Sequence, residues 1–175
     1  MEVGFNYYDF AAQDAKYFLE DVENGRVANY LASMAQNICE RYLKHIINEF
    51  HEPESEMDEH EKIAILRTHS IKKLTDFIVS KMEISMDDDK RDNIERADGY
   101  YFTSRYPGED SFFVTRRDIN KCKESVIDCQ EFVNNLILEH QKEQEKSYLF
   151  EEILAGEHTV KFTSSEHLNS ELEIE

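Results

Sequence analysis

One stretch limits the fold more than any other: residues 26–50, RVANYLASMAQNICERYLKHIINEF. Val27, Leu31, Met34, Ile38, Tyr42 and Ile46 recur at the spacing of one helix face. Tyr30, Ala35, Leu43, Ile47 and Phe50 widen the stripe beyond what a single packed partner covers. A helix apolar over so much of its circumference is expected at the centre of a domain, touched by several others. Gly25 stands just before it and marks the break that starts it. Only five glycines and two prolines occur in 175 residues, which favours long helices over a turn-rich β fold.

The rest of the chain supplies partners for that helix. The first helix is expected from Asn6 or Asp9 to Glu23, with Phe10, Ala11, Ala15, Phe18, Leu19 and Val22 on one face and Asn6 or Asp9 as cap. Asn24-Gly25 ends it, and the short connection makes an αα-hairpin with the central helix. Residues 51–62, HEPESEMDEHEK, read as a solvated acidic loop that can turn helical between Met57 and Leu66. His51 and His60 stand there among glutamates, but their spacing fits no metal-ligand pattern, so no metal is implied. A third helix is expected with Thr68 as cap and Ile71, Leu74, Ile78 and Met82 on its inner face. A short helix over Lys90 to Ala97 ends at Asp98-Gly99. The last long helix starts near Thr115 and carries Ile119, Cys122, Val126, Cys129, Val133 and Leu136 in a heptad-like a/d pattern that can run to Lys146, its far end available to a partner subunit. From residue 147 the pattern weakens: residues 158–162 have the look of a short strand, and the acidic tail over 147–175 is expected to be partly disordered or docked.

Charge and cysteines narrow the function classes. Thirty-eight acidic against 20 basic residues give a net charge of −18, which repels phosphate backbones and argues against general RNA binding. Cys39, Cys122 and Cys129 form no CxxC pair and each falls on an apolar helical stripe, so buried free thiols in a reducing compartment are expected. The opening residues show no secretory pattern, and no apolar run nears the about 20 residues of a membrane span. The expected location is cytoplasmic.

Residues 100–113, YYFTSRYPGEDSFF, hold the one irregular stretch with unusual chemistry. Arg105 sits among aromatics that include Tyr101 and Tyr106, and Pro107-Gly108 forces a turn. Aromatic loops of this kind usually pack on their own domain. A guanidinium held among tyrosines is nevertheless a ready donor for phosphate or carboxylate.

The order of these signals resembles the HEPN family of small helical domains. The opening YDFAAQDAKYFLEDVENGRVANYLASMAQNICERYLKHII is similar to the family's first helical hairpin, and within it Glu40, Leu43 and Lys44 match a frequent glutamate-x-x-leucine-lysine pattern. THSIKKL, residues 68–74, resembles the family's threonine-histidine start of the third helix, and YYFTSRYPGED its tyrosine-rich segment. The resemblance covers about residues 6–140. It implies an all-α, up-down bundle of four to five helices over residues 1–146, no cofactor, and a homodimer. It also implies three functions: nucleotide binding, companionship with a separate nucleotidyltransferase, or metal-independent ribonuclease activity of the toxin–antitoxin kind.

The ribonuclease members pair an arginine with a histidine four to six residues later. The arginine holds the scissile phosphate and the histidine moves a proton. Arg105 stands in the matching place, but Asp110, Ser111 and Phe112 stand where the histidine belongs. Arg41 and His45 share a helix face at i, i+4 and read as an ordinary solvated pair. The expected site is therefore a non-catalytic binding cleft formed by Arg105, Tyr106, Tyr101, Glu40, Lys44 and His69. Arg105 and His69 are the catalytic candidates should the alternative, an altered ribonuclease, hold. His69 is expected in the first turn of the third helix.

Overall fold

The computed structural model describes residues 6–100 and 112–154. Among them lie six helices and no strand: α1, Tyr7–Glu23; α2, Asn29–Phe50; α3, Glu56–Leu66; α4, Ile71–Ser80; α5, Asp88–Glu95; and α6, Arg116–Leu154. The all-α class expected from the sequence is the one the chain adopts. It divides into two compact units, one ending at Leu136 and the other starting at Ile137.

Helix α2 is the centre of the first unit, because burial runs round it: Leu31, Ala35, Ile38, Tyr42, Leu43 and Ile47 are all inaccessible to solvent. Helix α1 lies antiparallel to it. Tyr8 meets Tyr42 edge-on at 5.5 Å, Asp14 pairs with Arg41, and Asp21 accepts a 2.8 Å hydrogen bond from the Tyr30 hydroxyl. Ala11 and Ala15 present no bulk to hold the two helices apart, and Phe18 and Val22 complete the buried seam. Three residues of the expected stripes fall elsewhere. Phe10 is 51% exposed, with the Arg41 guanidinium 6.0 Å from its ring centre. Val27 is 41% exposed because α2 begins only at Asn29, which leaves Val27 in the turn. Tyr30 is 52% exposed, its hydroxyl directed to Asp21.

The helix boundaries follow local hydrogen bonding. Asn6 and Asp9 form a reciprocal capping box, with Asn6 Oδ1 accepting from Asp9 N at 3.1 Å and Asp9 Oδ2 from Asn6 N at 3.0 Å. Asn6→Ala is expected to remove about 1 kcal/mol, read as a lower urea midpoint with an unchanged slope. Gly25 takes φ +82°, a left-handed conformation that few other residues accept, and its carbonyl accepts from the Arg116 guanidinium. Helix α3 forms where a loop is expected at its start, because Ser55 accepts from Asp58 N at 3.2 Å and caps it at Glu56. Helix α4 begins later than expected. Thr68 Oγ1 accepts from Ser70 N at 3.3 Å, which holds residues 68–70 in a turn, and Ser70 rather than Thr68 is the cap.

Helix α6 starts where the sequence places it. Thr115 Oγ1 accepts from Asp118 N at 3.3 Å, while the Thr115 hydroxyl, at 2.6 Å, and Thr115 N, at 2.9 Å, both donate to Asp118 Oδ2 and hold the Asp118 carboxyl below its usual range. Its a/d residues Ile119, Cys122, Val126, Cys129 and Val133 are buried. They follow α2 in the same direction: Val114 N donates to the Asn29 side chain at 2.9 Å, and Cys39 Sγ lies 3.6 Å from Ser125 O. The helix continues past Lys146 to Leu154, with Tyr148 and Phe150 exposed. All three cysteines are free and buried, as expected. The Cys129 contact and burial raise the Cys39 thiol, and burial pushes Cys122 up to about 12, so both stay protonated and unreactive. The proposed strand over residues 158–162 lies outside the described residues.

His45 overturns its sequence reading as half of a solvated pair. It is 7% exposed, packed against Tyr8 at 5.5 Å and Phe50 at 6.3 Å, while Arg41 turns to Asp14. Burial lowers its pKa from the ordinary 6.5, against the opposing pull of Glu49 and Asp9. Below that pH the unfolded chain takes up a proton before the folded one does. His45 therefore adds stability that is complete above pH 6.5 and declines as the pH falls. His45→Phe is expected to flatten this part of the stability profile measured by urea denaturation at stepped pH. An unchanged slope would assign the loss to another group.

Candidate functional site

On α2, Gln36, Glu40 and Lys44 recur at i, i+4, i+8 and form a polar stripe in an otherwise apolar helix. Glu40 precedes Lys44, the favourable order for such a pair. Lys44 Nζ lies 2.6 Å from Glu40 Oε1, and both side chains are less than a tenth exposed. A buried charge pair is tolerated only when its remaining lone pairs find donors. Here the second donor comes from the loop before α4: His69 Nδ1 lies 3.2 Å from both Glu40 oxygens. Because a carboxylate only accepts, Nδ1 carries the proton in that bond, and in the neutral ring the lone pair belongs to Nε2. The His69 side chain is 58% exposed, so the cluster grades from a buried ion pair to a ring that meets solvent.

Two further contacts hold the histidine. Gln36 Nε2 donates to the His69 carbonyl at 2.9 Å. Asp98 fastens the following residue, accepting from Ser70 Oγ at 2.8 Å and from Lys72 N at 3.1 Å. A carboxylate at the N-terminus of α4 is also favoured by the helix dipole. His69 is therefore fixed through its ring, its carbonyl and its neighbour, which is how a site residue is held to a narrow geometry. It stands in the linker rather than in the first helical turn expected for it, because α4 starts at Ile71.

Of the residues read as site candidates, the structure brings Glu40, Lys44 and His69 together across 29 positions of sequence. Arg105, Tyr106 and Tyr101 lie outside the described residues. Gln36 and Asp98 were not read as site residues. Gln36 was legible as the first member of the polar stripe, whereas Asp98 gave only the signal of a helix stop. Tyr100, at the start of the aromatic segment, packs at 6.1 Å from Phe112, and burial pushes its hydroxyl up to about 12.

His51, weighed above as a metal ligand, instead lies 3.2 Å from Asp58 and packs on Phe77. Among the described residues no three His, Cys, Asp or Glu side chains gather to hold a metal. No described helix is long and apolar enough to cross a membrane. Comparison with curated proteins and with solved structures finds no match. The HEPN domain profile matches residues 7–139, the greater part of the chain and the part that holds the Glu40–Lys44–His69 cluster. The chain belongs to the HEPN family.

Proposed function

We propose that this HEPN domain is a nucleotide-binding module whose ligand phosphate accepts from His69 Nε2 with the ring doubly protonated in the complex, and that Arg105 is the second cationic contact. The observation that carries this is the cluster itself. A buried Glu40–Lys44 pair holds an exposed imidazole in one orientation, an arrangement that packing alone does not need. Lys44 is committed to Glu40, so its role is to hold that carboxylate in place, and the phosphate contacts fall to His69 and Arg105. Calorimetric titration of ATP and GTP tests the reading. Binding that is lost in both His69→Ala and Arg105→Ala supports it, and equal affinity in either variant refutes it.

A second reading has its own observation. A carboxylate-held histidine is the form in which imidazole serves as an acid or base, its Nε2 placed to exchange a proton. His69 then stands in for the histidine absent after Arg105, and the domain is a metal-independent ribonuclease. Cleavage of RNA that disappears in His69→Ala, with the fold intact, would favour this over simple binding.

We further propose that the domain works as a cytoplasmic homodimer, with or without a separate nucleotidyltransferase. Phe10 and Tyr17, 51% and 54% exposed on α1, are the surface assigned to the second copy. A monomeric mass by light scattering would remove that assignment.

A further inference from the structure

A concavity of about 520 Å³ opens between α3 and α4. Ala64, Ile65 and Phe77 contribute its apolar lining, and Arg67, Thr68 and Lys73 its polar lining. Its volume lies within the about 300–1,000 Å³ of small-molecule sites. It is separate from the Glu40–Lys44–His69 cluster in its lining, and no function above uses it.

The charge here runs against the chain as a whole. The sequence carries a net −18, yet the carboxylate in this lining, Glu61, is bound to Lys81 at 3.1 Å. Lys81 also holds Asp58 at 3.0 Å. Among the described residues no carboxylate pairs with the Arg67 or Lys73 side chain. Two cations therefore border an apolar surface without a carboxylate partner among the described residues.

The apolar lining is braced from behind. The Phe77 ring meets the His51 ring edge-on at 5.2 Å. His51 Nε2 lies 3.2 Å from Asp58 Oδ1, and Asp58 Oδ2 accepts from Glu54 N at 3.1 Å. The Lys81 ammonium, with that backbone N–H, keeps the Asp58 carboxyl below its usual range and so keeps it charged. A ring fixed in this way offers a flat ligand a surface that needs little ordering on binding.

We propose that this concavity binds a small aryl anion, a flat ring carrying a phosphate or carboxylate. The ring packs on Phe77 and Ile65, and the anion meets the Arg67 fork and the Lys73 ammonium. Neither half alone is enough. The lining is too open to hold a neutral ring firmly, and two exposed cations hold a bare anion only weakly in water.

Phenyl phosphate is the probe. Titrated into isotope-labelled protein, it is expected to move the amide signals of Ile65, Arg67, Thr68, Lys73 and Phe77 and to leave those of Glu40 and Lys44 in place. Arg67→Glu combined with Lys73→Glu is expected to weaken binding by about tenfold or more. Ala64→Trp fills the concavity without altering charge and is expected to weaken binding as well, so the test does not hang on the charge-reversed variant alone. Inorganic phosphate, lacking the ring, is expected to bind at least about tenfold more weakly than phenyl phosphate. Silence of the α3 and α4 signals at millimolar probe would overturn the proposal. So would unchanged affinity in either folded variant, or equal affinity for inorganic phosphate. His69→Ala is expected to bind the probe as the wild type does, which separates this site from the nucleotide reading.

Discussion

Glu40→Ala is expected to destabilise the fold by about 3–5 kcal/mol, a large part of what a domain of this size holds in reserve. The cause is the charge left behind. The Lys44 side chain is 7% exposed and its ammonium lies 2.6 Å from Glu40 Oε1. Without the carboxylate, that ammonium stays buried with no counter-charge, or the end of α2 must open to wet it. The companion double variant Glu40→Leu with Lys44→Met removes both charges and is expected to recover most of the loss, since replacing a buried pair by apolar residues is often neutral. The double variant also removes the acceptor for His69 Nδ1. It should therefore fold and yet fail to bind nucleotide. Urea denaturation of the three proteins gives the stabilities, and a double variant as unstable as Glu40→Ala would show that the pair itself contributes to the fold.

Phe18→Ala is expected to cost about 3–5 kcal/mol. Phe18 has no solvent exposure and sits in the α1–α2 seam between Ala15 and Val22. The small residues beside it cannot swing in to fill the space, so the cavity stays. Met57→Ala, on α3 and 73% exposed, is expected to change stability by less than about 0.5 kcal/mol. A chemical denaturation midpoint that moves equally for both would mean that the seam repacks.

These contrasts show where sequence was enough. The period of the apolar residues identified α2 as central and put Phe18, Ile38 and Val126 inside, because a buried helix face must repeat at the helical step. It could not tell that Phe10, Val27 and Tyr30 would lie outside. That depends on where α2 begins and on local partners such as Asp21 and Arg41, which periodicity does not encode. Cap chemistry was read correctly at Thr115; at the first helix the choice stayed open between Asn6 and Asp9, and the structure makes Asn6 the cap and Asp9 its capping-box partner. It was misread at Thr68, where Thr68 and Ser70 compete and the turn formed by Thr68 Oγ1 moves the start to Ser70.

The site was legible in part. Glu40, Lys44 and His69 came from family pattern, and their meeting is a tertiary fact: the loop before α4 lies over the polar stripe of α2. Asp98 was invisible as a site residue because an Asp-Gly pair reads first as a turn. His45 was misplaced because i, i+4 spacing to Arg41 says which residues share a face and not which way that face points.

The most direct measurement is histidine nitrogen NMR of the folded protein during ATP titration. The account predicts that the free His69 ring shows its proton on Nδ1, shared with Glu40, and that its Nε2 signal moves as ATP binds. It predicts no such change for His45, buried against Tyr8. A His69 ring whose proton rests on Nε2, or whose signals stay still while ATP binds, would contradict the assignment of this cluster as the nucleotide site.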